Sequence, residues 1–224
     1  MNLLGRLLSQ SGKPRGRLGR FLVRGMNFGH SGLTRWGLTK VEISENATVL
    51  DIGCGGGRTL ERLASLARLG KAVGIDYSTD SVAVARKRNQ RLIASGRVEV
   101  VHGSVSSMPF ADATFDLVSA VESYYFWPDI AGDLAEVRRV MKPSGQLVII
   151  AGMYRGSRFD KRNERLIRAD GMRCFSVQEF EETLQDAGFP AVAVTVEPRK
   201  GWMCVVSGSE FKDNIGEYSQ RDTA

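Results

Sequence analysis

The sequence predicts an α/β chain on one doubly wound, mostly parallel sheet of seven strands that ends in an antiparallel hairpin. Three observations predict it. From Ala47 onward, short β-branched runs alternate with longer segments of helical periodicity. A run of glycines stands where the first strand hands over to its helix. Near the end, the strand-like runs 191–197 and 202–207 are separated only by Pro198-Arg-Lys-Gly201, too short for a crossover helix, so the two runs must pair antiparallel.

Taken in order, the first strand is 48–52, Thr-Val-Leu-Asp-Ile. A helix over 56–69 follows, with Leu60, Leu63, Ala64 and Ala67 on one face and Gly70 as its stop. The second strand is 71–76. Ser78 or Thr79 caps a helix running to about Ala94, and Gly96 ends it before the third strand, 97–101. The fourth strand covers 114–121. Pro128 opens a helix reaching Met141, and Lys142-Pro-Ser-Gly145 turns into the apolar fifth strand, 146–151. A last helix over 176–187 precedes the hairpin.

At 224 residues with 42% hydrophobic and 25% charged side chains, the chain can bury one substantial core. This predicts one main domain, 41–208, with a basic arm or cap at 1–40, a lid over 153–175 and a polar tail at 209–224. No run approaches the roughly 18 apolar residues that span a bilayer, and the first residues lack a secretory apolar run, so a cytoplasmic protein without a transmembrane segment is expected. Cys54, Cys174 and Cys204 form no Cys-x-x-Cys pair and have only His30 and His102 as imidazole partners, so neither disulfides nor a metal site is expected. The net charge of +6 is uneven: eight basic residues, from Arg6 to Lys40, precede the first acid, Glu42. Such an arm suits either solvent or an anionic partner.

The chemistry concentrates at strand ends. Segment 49–58, Val-Leu-Asp-Ile-Gly-Cys-Gly-Gly-Gly-Arg, lets a ligand touch backbone and opens a helix whose free N–H groups favour an anion. A dehydrogenase fingerprint would need glycine at position 58, where arginine stands. Asp76 ends the second strand, roughly twenty residues past the glycines, where a carboxylate can accept from both hydroxyls of a ribose.

The pattern of Asp51 followed by G-x-G-x-G resembles the first motif of the class I S-adenosylmethionine-dependent methyltransferases, which share this Rossmann-like sheet with its antiparallel edge. Segment 103–118 resembles that family's G-D-x-x-x-L-P-F-x-D-x-x-F-D-x-V stretch, and 136–145, Glu-Val-Arg-Arg-Val-Met-Lys-Pro-Ser-Gly, resembles its helix and turn before the fifth strand. The match is nearest to the small-molecule enzymes called type 11. The resemblance implies S-adenosylmethionine as cofactor and S-adenosylhomocysteine as product. It places Gly53, Cys54, Gly55 and Gly57 along the methionyl part and gives Asp51 the ammonium group. Ser104 replaces the aspartate that meets adenine, a weaker acceptor by about 1 kcal/mol. Val105, Tyr77 and Val121 complete the implied cofactor set, with Met108 a further packing candidate.

Segment 121–129, Val-Glu-Ser-Tyr-Tyr-Phe-Trp-Pro-Asp, follows the fourth strand and so borders the crevice where such folds bind ligands. Glu122 is the candidate to accept a proton or orient an acceptor, and Tyr124 and Tyr125 to bound a methyl channel. His30, just before the first strand, could act as a base near neutral pH. His102 reads as structural. A small-molecule acceptor is expected. The alternatives are RNA or DNA held by the basic arm, although no Asn-Pro-Pro-aromatic or Pro-Cys motif follows the fourth strand, and a cofactor-binding protein without catalysis.

Overall fold

Apolar residues on both faces of the central strands decide the layering. A computed structural model describes residues 31–189 and 191–208; the arm before Ser31, with His30, and the tail from Ser209 lie outside the described residues. In chain order the elements are α1 (Ser31–Leu38), β1 (Thr48–Ile52), α2 (Arg58–Leu66), β2 (Lys71–Asp76), α3 (Thr79–Arg88), α4 (Gln90–Ala94), β3 (Val98–His102) and β4 (Phe115–Val121). There follow a 3-10 turn (Tyr124–Phe126), α5 (Ile130–Val140), β5 (Met141–Ala151), α6 (Asp160–Asp170), α7 (Val177–Asp186), β6 (Val192–Glu197) and β7 (Trp202–Gly208).

Along β1, Val49 faces one side and Leu50 and Ile52 the other; β5 divides in the same way, with Val148 and Ile150 opposite Leu147 and Ile149. Both faces therefore need cover. On one, Leu33 and Leu38 of α1, Leu60, Leu63 and Ala64 of α2, and Val82 and Ala85 of α3 supply it. On the other it comes from Leu134, Val137 and Val140 of α5 and from Phe180 and Leu184 of α7. Each fully buried leucine here stabilises the fold by about 1.5–3 kcal/mol. The helix α1 lies so near β5 that a Cβ on Gly37 would fall 2.5 Å from Ile150 Cδ1.

The sheet order is β3-β2-β1-β4-β5-β7-β6. Strands β1 to β5 run parallel, and β7 is antiparallel to both β5 and β6, so the expected seven strands and terminal hairpin are present. Chain order reverses between β1 and β4. Their carboxyl ends therefore border the crevice at which folds of this type take ligands.

Three elements differ from expectation. The helix over 79–94 breaks at Asn89, whose side-chain amide donates to both Ala85 O and Gly57 O at 3.0 Å. It thereby ends α3 and ties it to the glycine turn. Pro128 does not open a helix: residues 124–126 make a 3-10 turn, and Asp129 is the N-cap of α5. The turn expected at 142–145 is extended chain within β5, which pairs Met141 with Phe115 before the register shifts. Gly145 allows this, since a Cβ there would lie 2.9 Å from Phe115 O. Segment 153–175 contains α6, closed by Gly171 at φ 62.

Candidate active site

A cavity of about 730 Å³ opens at the reversal point, within the span usual for a small-ligand site. One side is the glycine turn between β1 and α2. Gly53 and Cys54 donate to Ile75 O at 2.8 and 3.1 Å, which fastens the turn to β2. Gly55 N donates to Asp76 Oδ2 and Ser78 N to Asp76 Oδ1, both at 2.8 Å. Asp76 thus holds the turn and the start of α3 while facing the cavity, and its oxygens keep lone pairs for further donors. Burial pushes its carboxyl up, against the backbone donors of Ser78 and Gly55 and the nearby charge of His102.

Asp51 lies deeper, 1% exposed. Ser119, its register partner on β4, donates to Oδ1 at 2.8 Å, while Oδ2 has no partner among the described residues. Burial pushes this carboxyl up to about 7, the Ser119 hydroxyl opposing and the charge of Asp76 assisting. A buried oxygen without a partner costs about 1–3 kcal/mol, which a donor brought by a ligand would recover. Gly55 supports the same fit. It sits at φ +52, and the nearest atom to a Cβ there is Gly53 O at 4.0 Å, so protein packing leaves room at this point of the turn.

The expected cofactor residues Asp51, Gly53, Cys54, Gly55, Asp76, Tyr77, Ser104, Val105 and Val121 all line the cavity. Gly57 does not. At φ +75, a Cβ on it would fall 2.6 Å from Asn89 Nδ2 and 2.9 Å from Ala85 Cα, so it is a glycine for the sake of α3. Cys54 is buried, and burial with the charges of Asp76 and Asp51 drives its thiol well above the ordinary range. Tyr77 is 40% exposed, with its phenol pushed up to about 12 by burial and Asp76. The Ser104 hydroxyl accepts from Ser106 N at 3.2 Å and so already serves its own turn. His102, exposed rather than buried, places Nε2 3.0 Å from Tyr77 O.

The opposite wall follows β4. Glu122 adopts φ 55, a conformation that costs a non-glycine residue about 1–3 kcal/mol and is held only by its surroundings. Its Oε1 accepts from Gly152 N and, at 3.1 Å, from Tyr125 OH. The Tyr125 hydroxyl in turn accepts from Met153 N at 3.1 Å. Ser123 Oγ donates to Ile52 O at 2.7 Å, and a Cβ on Gly53 would sit 2.5 Å from Ser123 Cβ, so the loops after β1 and β4 are in contact.

Tyr124, expected at a methyl channel, is instead a core residue with 0% exposure. Its ring packs 4.3 Å from that of Tyr125 and 4.8 Å from that of Phe180, and the 3-10 turn directs Tyr125, not Tyr124, to the cavity. Sequence reasoning missed Ser119, whose signal is a lone hydroxyl inside an otherwise apolar strand centre. It also missed Ser31, Thr34, Arg58, Arg62 and Arg173, all on the cavity wall; those of α1 and the 171–173 segment are brought there only by tertiary packing.

Residues 50–149 match the family described as methyltransferase domain. These 100 residues, of the chain's 224, are what the chain has in common with that family. The sterol 4-C-methyltransferase of Caenorhabditis elegans is 30% identical to this chain over 125 residues, 56% of this chain and 36% of that protein. The demethylmenaquinone methyltransferase of Bacillus licheniformis is 32% identical over 111 residues, 49% of this chain and 47% of that one. The chain thus spans less than half the length of these two relatives. In fold, the chain resembles an S-adenosylmethionine-dependent methyltransferase of Aquifex aeolicus, with a TM-score of 0.68, 21% identity, and coverage of 84% of this chain and 97% of that one.

Among the described residues, no helix is long and apolar enough to cross a membrane, and no group of three or more His, Cys, Asp or Glu side chains could hold a metal ion.

Proposed function

We propose that this protein transfers a methyl group from S-adenosylmethionine to a small-molecule acceptor. The observation that carries the reading is the pair of buried carboxylates on adjacent strand ends, one with an oxygen lacking a partner and the other set against the glycine turn. Asp51 would receive the cofactor's ammonium group and Asp76 its ribose hydroxyls, with Gly53, Cys54 and Gly55 along the methionyl chain. Val105, Tyr77 and Ser104 would bound the adenine, and Val121 the reacting side. The cofactor's carboxylate suits the N-terminus of α2, beside Arg58 and Arg62.

When bound, the cofactor supplies a methyl group on a sulfonium, open to in-line displacement without a metal. The residues then have two tasks, to align and to exclude water. Alignment of the reacting atoms supplies about 7–11 kcal/mol of the barrier reduction in such reactions. Glu122, held by Gly152 and Tyr125, is placed to orient the acceptor or to take the proton it releases. His30 keeps the role of candidate base as a proposal from sequence alone.

The reading is tested with methyl-labelled cofactor and low-molecular-weight extract fractions. S-adenosylhomocysteine should form with at least one fraction, and Glu122→Gln should cut turnover by about a hundredfold while cofactor affinity changes less than about twofold. A fully active variant would remove Glu122 from the mechanism. Cofactor binding with no product from any fraction would favour the non-catalytic alternative. RNA or DNA binding that falls steeply with salt would favour a nucleic-acid acceptor.

A further inference from the structure

The charges of the cavity wall divide between two ends. Asp51, Asp76, Arg58 and Arg62 stand on or beside the β1 turn and the β2 end, where the proposed reading uses all four for the cofactor. The other end is aromatic, Tyr125, Phe126 and Trp127, and carries Glu122 and Arg173. The Glu122 carboxylate already accepts from Gly152 N and Tyr125 OH.

Arg173 is differently placed. Its backbone N–H donates to Tyr125 O at 2.9 Å, which fixes the chain after α6 against the loop after β4. A guanidinium carries five N–H donors. Among the described residues, the side-chain hydrogen bond of Arg173 is to one carbonyl, Pro128 O, at 3.5 Å. A partly exposed fork on the cavity wall, with most of its donors unused among the described residues and three aromatic side chains beside it, fits an oxyanion on a flat or apolar body.

We propose that the methyl acceptor carries an oxyanion, a carboxylate or a phosphate, held by Arg173 while the body of the molecule lies against Tyr125, Phe126 and Trp127. The proposal rests on the methyl-transfer reading and assigns Arg173 the choice of acceptor, not the chemistry.

The test uses the full chain saturated with S-adenosylhomocysteine, titrated by calorimetry with 4-hydroxybenzoate, phenyl phosphate and the uncharged 4-hydroxybenzamide, each to about 10 mM. At least one anion should bind about tenfold tighter than the amide, and which anion does so separates the carboxylate from the phosphate. Arg173→Gln should abolish the preference, Arg173→Lys should keep part of it, and neither should change S-adenosylhomocysteine affinity by more than about twofold. An amide that binds as well as the anions, no anion binding at all, or a preference that survives Arg173→Gln would each overturn the proposal. The wild-type ratio decides the matter even if the glutamine variant does not fold. Failure of wild-type protein to bind S-adenosylhomocysteine would instead overturn the parent reading.

Discussion

The two halves of the cavity are built by different means. The half proposed for the cofactor is centred on contiguous chain, a strand, a turn and the start of a helix, with backbone N–H groups of Gly55 and Ser78 locked onto one carboxylate at the end of the next strand. The half proposed for the acceptor is assembled from three separate pieces, the loop after β4, the chain leaving β5 at Gly152 and Met153, and the segment around Arg173. They are held by side chains such as Glu122 and Tyr125. A site made of one local motif is constrained by backbone geometry and keeps one shape. A site made of converging loops can exchange its side chains without disturbing the sheet.

The largest expected effect separates two glycines of the same turn. Gly57→Ala forces a Cβ against Asn89 and Ala85 at positive φ, and urea unfolding should show a loss of about 2–4 kcal/mol. Gly55→Ala meets no such contact, so it should lose only about 1–2 kcal/mol of stability and act mainly on ligand affinity. Next, Asp76→Ala should weaken S-adenosylmethionine at least about tenfold by calorimetry. Unchanged affinity would mean that the cofactor half is misplaced.

Asp51 gives a pH signature. With its carboxyl raised to about 7 from the ordinary 3.8, the folded chain holds a proton that the unfolded chain releases. Its contribution should therefore make the unliganded protein less stable as pH rises between those two values. An ammonium group placed against the carboxylate reverses that preference. Cofactor affinity should strengthen from about pH 6 to about pH 7.5, by at most about tenfold per pH unit, with proton release seen in buffers of different ionisation enthalpy. Asp51→Asn should flatten both profiles. The smallest effect belongs to the acceptor half: Tyr125→Phe removes the donor to Glu122 and the acceptor for Met153 N–H, and should cost about 1–2 kcal/mol in thermal or urea unfolding.

The same contrast explains what the sequence made legible. Strand alternation and the short link before β7 were enough for the sheet, including its antiparallel edge, because those signals are local. Nine of the ten expected cofactor positions line one cavity, because they stand at the ends of neighbouring strands. The tenth, Gly57, packs against Ala85 and Asn89 and not along the cavity, a contact no spacing rule reveals. Beyond the fourth strand, adjacent tyrosines look equivalent in sequence, and only the 3-10 turn decides that Tyr125 meets the cavity while Tyr124 fills the core. Ser119 and Arg173 were illegible because their partners, Asp51 and Tyr125, lie 68 and roughly fifty residues away, distances typical of tertiary contacts.

One amide at Asn89 reaches both the last turn of α3 and the carbonyl of Gly57. Opening the glycine-rich turn would therefore mean fraying a helix as well, so the entropy of arranging this wall of the cavity is spent during folding and not at encounter. A pocket readied in this way can accept its ligand quickly, and it leaves the binding free energy for discriminating among molecules rather than for shaping the receptor.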